Sequence, residues 1–120
     1  MKYMIMMSGS VDSMAGAQSK DWIQEMIAFM VRLDKDLTDS GELVFEQGLA
    51  DPSTAKTVTV NDGGVVVSDG PYAEAKESLI GFWVVDVASE QRAYEVAAQI
   101  ASYAGQVEVR PALDAPPNFE

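Results

Sequence analysis

The sequence predicts an α+β fold in which two helices cover one face of a four-stranded sheet. Three observations carry this expectation. Residues 21–40 and the stretch after Ser89 place apolar side chains at three- and four-residue spacing, the period of a helix with one buried face. Several short runs rich in Val, Ile and Phe are bounded by Gly, Asn and Pro, as strands are. Residues 79–87 (Leu79-Ile80-Gly81-Phe82-Trp83-Val84-Val85-Asp86-Val87) carry one charge in nine positions and are apolar on both alternating faces, which fits a strand covered on both sides.

Composition sets the outer bounds. A chain of 120 residues, 48% hydrophobic, suits one domain with a real core. We assign that domain to residues 1–113 and read residues 114–120, with Pro116-Pro117, as a tail. Lys and Arg number 8 against 19 Asp and Glu, so the net charge is −11. That sign repels phosphate backbones and anionic lipid surfaces, so neither nucleic acid nor membrane is an expected partner. The chain has no Cys, which excludes disulfides, thiolate metal sites and a Cys nucleophile. It has no His, which removes the commonest general base and transition-metal ligand. Any chemistry must use carboxylates, Lys, Tyr, Ser or Thr hydroxyls or backbone groups, or a borrowed cofactor, and no resident metal or cofactor is expected. The apolar run near Met1 is too short for a signal segment or a membrane span, so a cytoplasmic location is expected.

Along the chain, residues 2–7 form a short apolar run that stops at Ser8-Gly9-Ser10, a buried strand by its length. Residues 8–19 read as a loop. A phosphate-binding loop is rejected there, because no Gly-Lys-Ser/Thr or Gly-x-Gly-x-x-Gly follows. Ser19 is placed to cap the first helix, Asp21 suits its positive end, and Gly41 suits its exit. Trp22, Met26, Met30, Leu33 and Leu37 form its stripe, widened by Ile23, Ile27 and Phe29. This stripe reads as a core face, with a ligand wall as the second reading. Residues 42–47 suit a strand. Residues 56–60 and 65–67 suit a hairpin whose tip, Asn61-Asp62-Gly63-Gly64, supplies positive-φ residues through Asn and Gly. Asp62 is a turn residue, since the other ligands of a calcium loop are missing. Ser89 is placed to cap the second helix, with Ala93, Val96, Ala97, Ile100 and Ala104 as its stripe and Gly105 at its end. Residues 106–110 alternate as a half-buried strand, and Pro111 stops it. Apart from the hairpin the order is βαββαβ, the ferredoxin-like pattern. Two helices cover only one face of such a sheet. The other face needs cover as well, and a second copy is the economical cover, giving a two-fold homodimer around a cleft.

Candidate chemistry gathers around Asp69-Gly70-Pro71-Tyr72-Ala73-Glu74-Ala75-Lys76-Glu77 and at the last strand. Asp69 reads either as a turn carboxylate bonding nearby amides or as an acid/base at a cleft mouth. Glu74, Lys76 and Glu77 read either as a solvated charge cluster or as a site in which Glu74 positions Lys76. Tyr72 would supply a wall with a polar tip. Arg110 is the best anion ligand by chemistry, unless a carboxylate holds it to fix the sheet. Asp86, in an apolar strand, is expected at the strand's end.

The 69–77 stretch, with Gly81, Phe82, the later Val107-Glu108-Val109-Arg110-Pro111, the opening Met1-Lys2-Tyr3-Met4 and Gly9, resembles the DGPF branch of the YCII-related family. That branch is named for Asp-Gly-Pro-Phe, usually followed by Ala-Glu-Thr-Lys-Glu. Here Tyr72 stands for the Phe and Ala75 for the Thr, which removes one hydroxyl. The resemblance implies a ferredoxin-like, dimeric α+β barrel without a settled activity. A related branch has a His–Asp pair with a proposed catalytic role, which this His-free chain cannot share. Genes of the DGPF branch often neighbour those of extracytoplasmic-function sigma factors, which implies a regulatory association. Two functions are therefore carried forward. One is a dimeric binder of a small anionic or polar molecule, with Asp69, Tyr72, Glu74, Lys76 and Arg110 at the site. The other is a non-catalytic regulatory or interaction module.

Overall fold

The computed structural model of the chain describes residues 1–9, 19–70 and 78–117. Its elements are β1 (Lys2–Gly9), α1 (Lys20–Asp39), β2 (Leu43–Gly48), a single 3-10 turn (Pro52–Thr54), β3 (Lys56–Asn61), β4 (Gly64–Asp69), β5 (Ser78–Asp86), α2 (Glu90–Ala104) and β6 (Glu108–Pro111). Strands β2-β5-β1-β6 form an antiparallel four-stranded sheet in that order, and β3-β4 form a separate hairpin. The fold is α+β and ferredoxin-like, as the periodicity predicts.

The helices begin and end where local chemistry directs. The Ser19 and Ser89 hydroxyls accept from the Trp22 and Arg92 amides, satisfying first-turn donors that have no helical partner. At the end of α1, the Glu42 amide donates to Leu37 O and the Gly41 amide to Thr38 O, with Gly41 at φ 78°. This double return bond satisfies the last carbonyls, and glycine adopts that φ without steric cost.

Both helices pack on one face of the sheet. The core there is Tyr3, Ile5, Trp83, Val85 and Val87 from the strands, Phe29, Leu33 and Leu37 from α1, and Ala93, Val96, Ala97 and Ile100 from α2. Tyr103 lies against Phe29 and Trp22, closing the gap between the helices. The Arg92 guanidinium reaches from α2 to Glu42 through two bonds of 2.9 Å, tying the second helix to the turn after the first. Asp86 is the last residue of β5, where it receives the Met1 amine at 2.8 Å.

Several expectations are corrected. The first strand continues through Ser8 to Gly9, because both residues pair with the start of β5 past a bulge at Met7/Ser8. Ile27 does not widen the core stripe of α1. It is exposed, as is Val31 one turn on, while Phe29 occupies the buried centre. Ala104 is only half-buried, as the last residue of α2. Among the described residues no Asn has a positive φ. At the hairpin tip Gly64 alone takes one, and Asn61 instead accepts the Gly63 amide on its side chain. The last strand starts at Glu108 and includes Pro111, opposite Tyr3. Proline is tolerated there because β6 is an edge strand and needs no donor on its outer side. The loop reading of residues 10–18 lies outside the described residues.

Candidate functional site

The pleat sorts the side chains of the central strands onto two faces. Tyr3, Ile5, Trp83 and Val85 point to the helices. Met4, Met6, Phe82 and Val84, their immediate neighbours in sequence, share the opposite face with Phe45 and Gln47 of β2 and with Glu108 and Arg110 of β6. Neither α1 nor α2 covers this second face. Met4, Met6, Phe82 and Val84 are half-buried by one another, Phe45 is 52% exposed, and Phe45 and Phe82 meet with ring centres 5.9 Å apart. The open face is thus apolar at its centre and polar at its margins, at Gln47 of β2, at the Lys2/Asp86 end of β1 and β5, and along β6.

At the β6 margin Arg110 Nη2 donates to Glu108 at 2.6 Å, and both side chains remain more than half exposed. Beside them lies a cavity of about 350 Å³ lined by Met6, Ser8, Gln106, Val107 and Glu108. Asp69 sits elsewhere, at the root of the β3-β4 hairpin, where it accepts from Lys56 at 2.5 Å with its carboxylate open to solvent. Within one chain the structure does not bring Asp69 and Arg110 together. Tyr72, Glu74 and Lys76 lie outside the described residues. Their flanks are defined. Gly70, at φ 92°, closes the hairpin root by donating to Ala55 O at 2.8 Å, and Ser78 pairs with Gly9 at the end of β1.

A second cavity, of about 200 Å³, opens between α1 and the sheet. Met7, Met26, Met30, Ile80, Gly81 and Trp83 give it an apolar wall, and Asp34 and Glu46 add two carboxylates. Asp34 accepts the indole N–H of Trp83 at 2.9 Å. Burial, and then the neighbouring Asp34, push the Glu46 carboxyl above the usual carboxylate range. In contrast, the Arg92 guanidinium and then the Ser40 hydroxyl hold Glu42 below it. Sequence reasoning missed Asp34 and Glu46 as cavity residues. The available signal was Asp34 itself, an acid four residues after Met30 and so in line with the α1 stripe. The two half-buried methionines, Met26 and Met30, give the ligand-wall reading of that stripe a place, while Phe29, Leu33 and Leu37 are plainly core.

Both cavities open at one end of the sheet. Ser8 borders the first, while Met7, Gly48 and Gly81 border the second. Ser78, the first residue of β5, lies at this same end, opposite Gly9. Among the described residues, no group of three or more Asp or Glu side chains is placed to hold a metal ion. Among the described residues no helix is long and apolar enough to cross a membrane.

A match to the YCII-related domain covers residues 1–115. The chain belongs to the YCII-related family. It is also similar to an uncharacterized protein of Rhizobium meliloti (strain 1021), with 30% identity over 103 residues, 83% of each chain. Family membership agrees with the antiparallel sheet and paired helices described above.

Proposed function

We propose that two copies pair through the open faces of their sheets and hold a small anionic or polar molecule in the cleft between them. The observation that carries this reading is the open face itself, apolar in its middle and edged by Arg110 beside a 350 Å³ cavity. Apolar surface of this extent gains by leaving water. An arginine at its margin offers a planar set of donors to a carboxylate or phosphate. Among the described residues Arg110 engages Glu108 through one nitrogen, and its other donors are available to a ligand. In this reading Tyr72, Glu74 and Lys76 are ligand contacts, chosen by their chemistry. Asp69, at the hairpin root, is the acid/base or acceptor. The 69–77 stretch supports placing the chain in the DGPF branch of its family, and the cytoplasm is its proposed location.

A thermal-shift screen of small carboxylates and phosphates tests the binding claim. A hit that stabilises the native chain, and is lost in Arg110→Ala and Lys76→Ala, is the expected result. Hits that survive both substitutions, and Asp69→Ala as well, remove these residues from the site. The net charge of −11 supports a second reading, a regulatory module that docks on a basic protein. That reading takes over if no small molecule in the screen shifts the melting temperature and a defined basic partner binds with strong salt dependence.

A further inference from the structure

The β3-β4 hairpin buries almost nothing. Its register sets Val58 against Val67 and Val60 against Val65. Directly opposed residues share a face, so four valines stand together on one side. They are 60, 61, 77 and 69% exposed in that order. Thr57, Thr59, Val66 and Ser68 occupy the other side. A two-stranded hairpin is marginal in water when nothing covers its apolar face. Among the described residues, β3 and β4 make no hydrogen bond to the four-stranded sheet or to either helix. The radius of gyration, 16.9 Å, exceeds the roughly 14 Å expected of a compact chain this long. The hairpin stands away from its own domain.

We propose that the hairpin is an arm that lays its valine face on the open sheet face of a second copy along β2, where Phe45 is exposed, beside the area the paired sheets cover, and that the second copy returns the contact. This rests on the paired-face reading above and says how the pair is held. Area is the first argument. Four strands about 4.8 Å apart, each about seven residues long, present a face of roughly 440 Å². A stable pair buries about 800 Å² on each partner. The sheet face alone falls short, and four valines at the observed exposure add on the order of 400 Å², itself the size of patch that marks an interaction surface. Chemistry is the second argument. Each copy carries a charge of −11, so long-range electrostatics separate the copies and apolar area must join them. The surface that matches a valine face on this same chain is the one built from Phe45, Phe82, Val84, Met4 and Met6. The arm is also laced at its root, by the Lys56–Asp69 pair, by Thr57 Oγ1 donating to Gly70 O at 2.8 Å, and by the Gly70–Ala55 bond. It is therefore presented as one unit.

The absence of cysteine makes the test clean. A benzophenone attached at Val67→Cys is photolysed in a mixture with isotope-labelled chain that lacks the substitution, and cross-linked peptides are identified by mass. Links from the benzophenone on the arm to β1, β2 or β5 of the isotope-labelled copy are expected. In parallel, residues 56–69 are replaced by a short Gly-Ser linker, which the adjacent Ala55 and Gly70 permit. Association measured by light scattering is expected to weaken roughly tenfold or more, with the helical circular dichroism retained. A two-chain mass with links only inside one chain, or with excision leaving association unchanged, overturns the arm and leaves the paired faces standing. A one-chain mass for the unaltered protein at every concentration overturns both.

Discussion

The two faces of strands β1 and β5 are built from the same kinds of residue and end in different states. Tyr3, Ile5, Trp83 and Val85 face the helices and are almost wholly buried. Met4, Met6, Phe82 and Val84 alternate with them, face the open side and keep part of their surface in water. Hydrophobicity alone therefore does not decide burial here. A strand's period of two gives each face its own cover, and two helices suffice for one face only. The polar ties differ in the same way. Glu42–Arg92, which ties α2 to the turn after α1, is bidentate and partly shielded, whereas Glu108–Arg110, on the open side, is a single exposed contact.

The largest expected effect lies on the covered face. Ile5→Ala deletes a fully buried side chain and should cost about 2–5 kcal/mol in urea unfolding, the same at every protein concentration. Phe82→Ala, one step across the sheet on the open face, should cost about 1–2 kcal/mol in dilute protein and more as concentration rises, if the open faces pair. A concentration-independent loss as large as that of Ile5→Ala would break the contrast between the faces.

The ion pairs sharpen the contrast at smaller scale. Arg92→Met should cost about 1 kcal/mol near neutral pH, while Glu108→Gln should change stability by about 0.5 kcal/mol or less. Because Arg92 depresses the Glu42 carboxyl, the folded state binds protons there less readily than the unfolded chain. The pair's contribution is thus full above the ordinary glutamate range and is lost as pH falls through the depressed folded value. Unfolding measured from pH 7 to pH 3 should show the wild-type and Arg92→Met curves converging at the acid end. Glu46 should behave in the opposite sense and most weakly. Its raised carboxyl is penalised when ionised, so it lowers stability as pH rises from the ordinary glutamate range to the raised value. Glu46→Gln should remove that decline and leave the protein slightly more stable at pH 7, a small upward shift in urea midpoint.

The candidate site was legible only in pieces. Arg110 was picked out by its chemistry, and its place on the open face follows from strand alternation. Its contact with Glu108 joins residues two apart on one strand, so alternation also anticipates it. Asp34 and Glu46 were not found, because their meeting depends on α1 lying across the far end of β2. Asp69 illustrates the reverse case. The motif that contains it was conspicuous, yet its described partner, Lys56, is set by hairpin register.

Periodicity, caps and turns are properties of neighbouring residues. The chain alone therefore determined two helices with serine N-caps, glycine at their exits, a hairpin, and a pair of central strands greasy on both sides. Tertiary structure decided the strand order β2-β5-β1-β6, the coupling of Glu42 to Arg92 across 50 positions, and the exposure of the hairpin's valines. Those outcomes depend on which distant segments share a surface, and pairwise spacing along a chain carries no information about that until the sheet has closed.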